Sequence, residues 1–136
     1  MRVIPFVFLL MALAVGCGTR DNRKLVCEIT LDGSPLKEGT ILFVPLDKSS
    51  GATSGGEIRD GKCNFVGAQT PPSDKYKVEV RSYKKSGRQV QKPMGKAGEL
   101  VDELVEAVAP RFNSASELVV EVKLGDRLVK IAVHSK

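Results

Sequence analysis

The sequence predicts an all-β domain: a seven-stranded β-sandwich with one short helix inserted before the last two strands. Three observations lead there. From Lys24 onward, apolar residues recur mostly with period two, the spacing of half-buried strands. Segments rich in Gly, Pro, Asp and Ser separate these runs at intervals typical of sandwiches. Only one window, residues 99–108, repeats with helical spacing.

Taken in order, "KLVCEITL" (24–31) places Leu25, Cys27, Ile29 and Leu31 on one face of a strand. "DGSPLKEG" (32–39) turns the chain, because Asp-Gly opens it and Pro35 fixes φ. "TILFVPL" (40–46) is almost continuously β-branched or aromatic, the composition of a well-buried strand; Pro45 lacks an N–H, which puts that end at an edge. "DKSSGATSGG" (47–56) reads as a polar connection. "EIRDGKCNFVG" (57–67) reads as a hairpin about Asp60-Gly61, with Cys63 and Phe65 on one face. "QTPPSD" (69–74) links it to "KYKVEVRS" (75–82), where Tyr76, Val78 and Val80 alternate with charged residues.

The rhythm then breaks. "YKKSGRQVQKPMGKAG" (83–98) carries Lys84, Lys85, Arg88, Lys92 and Lys96 and no acid, and reads as a mobile basic loop. "ELVDELVEAV" (99–108) reads as the helix: Leu100, Val101, Leu104, Val105 and Val108 form a stripe, Glu99, Asp102, Glu103 and Glu106 face away, and Pro110 ends it. "SELVVEVKLGDRLVKIAVHS" (116–135) reads as a final hairpin turned by Gly125-Asp126.

The N-terminus stands apart from this domain. Met1-Arg2 is a short positive segment, residues 3–15 are apolar, and small Gly16 precedes Cys17. This is the pattern of a secretory signal, and the apolar run falls short of the ~20 residues a membrane-spanning helix needs. "ALAVGC" also resembles the lipobox of bacterial lipoproteins, with Ala14 where leucine is commonest. That resemblance implies a signal peptide over 1–16, a diacylglycerol thioether on Cys17, and a lipidated tether over 17–23 ahead of the domain at 24–136. Two or three acyl chains at one residue anchor a protein stably, where one does not. Gly18 rather than Asp after the cysteine resembles outer-membrane sorting. The other reading is an ordinary signal peptide whose cysteine is incidental.

Composition excludes several function classes. A net charge of +5 is mildly basic and suits acidic surfaces such as headgroups or envelope polymers. Nucleic-acid binding would require basic residues clustered on one element or interleaved with stacking aromatics; the sequence reads as neither, with no Trp and little aromatic content. The glycines of 47–56 are followed by Glu57-Ile58, not by the lysine and hydroxyl of a phosphate-binding loop. The acids of 99–108 have no histidine or further carboxylate nearby in sequence to make a metal site, so they read as a solvated helix face.

The blocks "VCEITLDGSPLKEGTILFVP", "GGEIRDGKCNF", "KYKVEV" and "PRFNSASELVVEVKLG" resemble the small transthyretin-like, or carboxypeptidase-regulatory-like, lipoproteins of planctomycetes. The resemblance spans nearly all of 24–134; its first block is the specific one. It implies a transthyretin-like sandwich, exported and lipid-anchored, with no established catalytic role. The chain departs from the family pattern at Cys27, where glycine is usual, at Cys63, where an aromatic is usual, and at Ser73-Asp74, where Pro-Gly is usual. Because the two cysteines occur together and alternation points both inward, they form a candidate disulfide suited to an oxidising envelope. A loop of about 37 residues would then be closed, worth roughly 3–4 kcal/mol by chain entropy before native strain subtracts. Two buried free thiols are the other reading, since alternation sets a face but not a separation.

Transthyretin-like folds include hydroxyisourate hydrolase, whose family uses histidines, an arginine and a C-terminal Tyr-Arg-Gly-Ser. This chain has one histidine, His134, and ends "AVHSK". No catalytic set, metal site or cofactor is therefore expected. The expected function is a lipid-anchored, non-catalytic binding or structural module of the cell envelope. Its membrane contact is the lipid anchor, its partner an envelope protein or polymer, and its candidate partner surface Lys84, Lys85, Arg88, Lys92 and Lys96. The alternatives are an accessory or carrier protein for a small ligand or peptide and, behind it, a hydrolase.

Overall fold

The computed structural model describes residues 21–49 and 51–136. The signal segment, Cys17 and the start of the tether lie outside the described residues. Strand accounts for 55% of the described residues. The strands are β1 (Lys24–Leu31), β2 (Ser34–Pro35), β3 (Glu38–Pro45), β4 (Ser54–Arg59), β5 (Lys62–Val66), β6 (Asp74–Arg81), β7 (Tyr83–Gln91), β8 (Leu100–Glu106), β9 (Val119–Val122) and β10 (Leu128–Val133). Short 3₁₀ turns occupy Gly67–Gln69 and Pro110–Phe112.

One curled, mainly antiparallel sheet runs in the order β10-β1-β5-β4-β3-β6-β9, with β2 attached to β1. The strands along this path fall on the segments that the sequence marks as strands. The curl turns one apolar face inward. Leu25, Cys27 and Ile29 from β1 meet Ile41 and Phe43 from β3, Tyr76, Val78 and Val80 from β6, and Ile131 and Val133 from β10. Phe43 lies at the centre, edge-to-face with Phe65 at 5.6 Å and with Tyr76 at 5.7 Å between ring centroids. Tyr76 is buried to its hydroxyl, which donates to the Pro72 carbonyl at 2.7 Å. Burying that ring therefore orphans no donor.

Both Asp-Gly signals make tight turns. Asp32 and Gly33 have φ of 50° and 87°, and Asp60 and Gly61 have 49° and 77°, left-handed at both central positions as a two-residue hairpin turn requires. Gly61 is needed twice over, because a Cβ there would come within 2.7 Å of Pro35 Cβ.

Three expectations are corrected. Residues 99–108 are not a helix: β8 is a strand, and it pairs antiparallel with β7. As a helix this segment would stack Glu99 over Glu103 and Asp102 over Glu106 at i,i+4, like charges that destabilise a helix already too short to stand alone. As a strand it faces basic residues instead. For the same reason 83–98 is not a mobile loop: most of it is β7, the other half of a two-stranded ribbon. Third, 116–135 is not a hairpin. Gly125 turns the chain with φ 88°, and the Lys123 N–H donates to Asp126 Oδ2 at 2.8 Å. The strands on either side part, however: β9 pairs with β6, and β10 runs parallel to β1 at the other end of the sheet. The 123–127 link crosses between the two free edges because each has an apolar face to cover.

Truncating the central ring tests this core. Phe43→Ala is expected to cost about 3–5 kcal/mol in unfolding free energy, measured by denaturant titration.

Candidate functional site

The ribbon holds every residue of the expected basic surface. It leaves the sheet at Ser82, whose hydroxyl donates to the Glu38 carbonyl at 2.6 Å, and returns at Ala107, whose N–H donates to the Ser82 carbonyl at 2.7 Å. Glu106 closes this root by accepting the Ser82 N–H at 2.9 Å. Beyond the root, among the described residues, β7 and β8 pair only with each other, and β7 is exposed along its whole length.

The basic residues do not act as an uncompensated patch. Lys85 Nζ meets Asp102 at 2.6 Å, and Lys92 Nζ meets Glu99 at 2.6 Å. Arg88 donates from Nε to Glu103 Oε2 at 3.0 Å and from Nη2 to Oε1 at 2.9 Å, a two-point fork. That fork depends on an irregularity in β7 between Lys85 and Gln89, where Gly87 has φ 90° and the Ser86 hydroxyl also donates to Glu103. Lys84 lies opposite Val105 and Lys96 sits in the tip loop; neither makes an ion pair with a carboxylate among the described residues. The same acids that suggested a helix face are thus the counter-charges of the basic strand.

These pairs shift the groups as expected. The hydrogen bond from Lys85 holds Asp102 below the usual carboxylate range, and those from Arg88 and then Ser86 do the same for Glu103. Exposed pairs of this kind stabilise weakly, so they set register more than they add stability.

Alternation divides the ribbon into two faces. One carries Tyr83, Lys85, Leu100, Asp102 and Leu104, with Tyr83, Leu100 and Leu104 between 55% and 60% exposed. These three form an apolar stripe set among polar residues, with Glu106, Gln91 and Lys85 directly opposite Tyr83, Leu100 and Leu104. At the tip, Pro93 and Met94 are the central residues of a turn closed by the Gly95 N–H on the Lys92 carbonyl at 3.0 Å. Met94 is fully exposed and left-handed, with φ 60°, a conformation a side chain of that size rarely adopts. The Gln91 side chain braces the tip, donating to the Lys96 carbonyl at 2.7 Å and accepting the Gly98 N–H at 3.1 Å. Sequence reading missed the stripe and the tip. The signal was available: a basic block and an acidic block of similar length flank Pro-Met-Gly, which is a hairpin with complementary strands.

The remaining residues singled out by sequence lie elsewhere. Cys27 and Cys63 are both thiols in this structure, buried and directly opposed on β1 and β5. His134 follows β10, half-exposed, with Nδ1 3.5 Å from Asp32 Oδ1 and its ring 5.8 Å from Phe112. The Ser135 hydroxyl also donates to Asp32, at 2.6 Å. Histidine and serine therefore converge on one carboxylate, which clamps the C-terminus to the β1–β2 turn; no hydrogen bond joins them as a nucleophile and its base. No cluster of three or more His, Cys, Asp or Glu able to hold a metal occurs among the described residues. No family model matches this chain, and neither a curated protein nor a solved structure matches it.

Because Asp102 and Glu103 are lowered in the folded state, their contribution is complete above the ordinary values of 3.8 and 4.5 and is lost as pH falls through the lowered ones. Amide protection factors over 84–105 are expected to stay constant from neutral pH down to the ordinary values. Below them they should fall before those of β1, β3 and β6 do, as measured by hydrogen exchange.

Proposed function

We propose that this protein is an exported, non-catalytic binding module of the cell envelope, transthyretin-like in fold, anchored by acyl chains on Cys17 to a bacterial membrane, the outer membrane in preference. In this reading β7–β8 is the element that meets an envelope protein or polymer. The observation that carries the reading is the separation of tether and ribbon. The described chain enters at Arg23, whose carbonyl accepts the Gly67 N–H at 2.8 Å and the Thr70 hydroxyl at 3.3 Å, beside the start of β6. The ribbon leaves from the other end of β6. Eight residues of strand at ~3.3 Å each put about 25 Å between the two points. A domain held by its N-terminus thus roots the ribbon at the pole away from the tether.

The stripe of Tyr83, Leu100 and Leu104 supplies contact area, and its ion pairs fix the two strands in register before any partner arrives. A preformed surface loses less ordering entropy on binding than a mobile loop would. A carrier role finds less support, because the space between the curled strands is filled by Phe43, Phe65 and Tyr76.

Tyr83 and Glu106 are directly opposed, so a short turn can replace 84–105 without disturbing the root. The shortened protein is expected to keep its unfolding midpoint and lose its crosslinked partners in intact envelopes; an unchanged crosslinking pattern would rule the ribbon out. Cys17→Ala is expected to abolish acylation, read as loss of the lipid mass increment in membrane-extracted protein. An unacylated wild-type chain would overturn the anchor.

A further inference from the structure

We infer that Cys27 and Cys63 are a cross-strand disulfide pair that closes while the chain folds and is then sealed inside the core. The inference concerns the domain alone and does not depend on the anchor or the ribbon.

The register carries it. Cys27 on β1 stands directly opposite Cys63 on β5, and both side chains face inward with 0% and 2% exposure. The Ile29 N–H donates to the Gly61 carbonyl at 2.8 Å, and the Gly67 N–H to the Arg23 carbonyl at 2.8 Å. Both pairs share the register of Cys27 and Cys63 at even spacings from them. The cysteines therefore occupy a hydrogen-bonded position of the ladder, where opposed Cα atoms stand about 5.5 Å apart, inside the disulfide range. Opposed Cβ atoms there are about 5 Å apart, and a disulfide wants about 3.8 Å, so closure draws β1 and β5 together. Room for the sulfur exists because residue 56 is glycine: a Cβ on Gly56 would lie 2.5 Å from Cys63 Sγ.

Burial decides when the bond can form. It pushes the Cys27 thiol up to about 12, with the neighbouring Cys63 adding to the effect, and the Cys63 thiol to about 11. The nucleophile in exchange is the thiolate, so the folded dithiol presents neither a reactive nor a reachable sulfur. In the open chain both thiols return to about 8.5 and meet solvent. There a Cys63 thiolate attacks one sulfur of an external disulfide and releases one thiolate, leaving a mixed disulfide. Cys27 attacks the Cys63 sulfur, forms the Cys27–Cys63 bond and releases the second thiolate. The two protons from the cysteines pass to the two released thiolates, and the external disulfide accepts the two electrons. Folding then buries the bond, where a reductant meets the same barrier.

The experiment uses the full chain in detergent, unfolded with reductant and refolded in mixed reduced and oxidised glutathione. It is then alkylated under denaturing conditions, digested, and read by mass at the peptides bearing Cys27 and Cys63, so that Cys17 does not interfere. The expected result is a linked peptide pair about 2 Da below the sum of its free-thiol forms, with neither cysteine alkylated. In a second arm the folded dithiol protein meets the same oxidised glutathione without denaturant, and closure is expected to be at least about a hundredfold slower than during refolding, since exchange then waits on opening. Two alkylated cysteines after redox refolding, or a glutathione adduct persisting on one of them, would overturn the pairing. Closure in the folded protein as fast as during refolding would overturn the sealing.

Discussion

The domain is organised around β1, a strand that must satisfy neighbours on both sides at once. β10 lies parallel along one edge from Val26 to Leu31, and β5 lies antiparallel along the other from Lys24 to Glu28. A slip of one residue in either ladder would send Leu25, Cys27 and Ile29 from the core to solvent. Because β10 is the last strand and β5 belongs to the central hairpin, β1 ties the end of the chain to its middle. It also places the two cysteines opposite each other. The clamp of His134 and Ser135 on Asp32 finishes the job at the end of β1 by fixing the C-terminus against the first turn.

The ribbon follows a different logic. It has no core of its own, and a two-stranded ribbon is marginal in water. What gives it one register is a ladder of exposed ion pairs, the Arg88–Glu103 fork above all, together with a root hydrogen-bonded into the sheet through Ser82, Glu38 and Glu106. Charge used in this way leaves the apolar side chains of one face uncovered. The basic residues thus serve first as internal counter-ions, and the contact surface passes to Tyr83, Leu100 and Leu104.

Most of the sheet was legible in the sequence, and the reason is local. Alternation in 24–31 and 75–82, the continuous β-branched and aromatic run of 40–46 and the two Asp-Gly turns depend on nearest neighbours, so β1, β3, β6 and the β4–β5 hairpin follow from them. The candidate site was legible only in part. Lys84, Lys85, Arg88, Lys92 and Lys96 do gather on one element. That element was misread, because "LVDELVE" fits a helical stripe as well as a strand; the choice rests on which charges lie across from it.

By itself, the sequence determined the all-β class, the face on which each main strand is buried and the inward direction of both cysteines, since period and side-chain direction are properties of the chain within a few residues. Only the tertiary structure decided which strands are neighbours. It separated β9 from β10 although one short turn joins them, paired β7 with β8 in place of a loop and a helix, and set Cys27 against Cys63. Those outcomes depend on which distant apolar faces and opposite charges can be brought together, and pairings across tens of residues leave no period in the sequence.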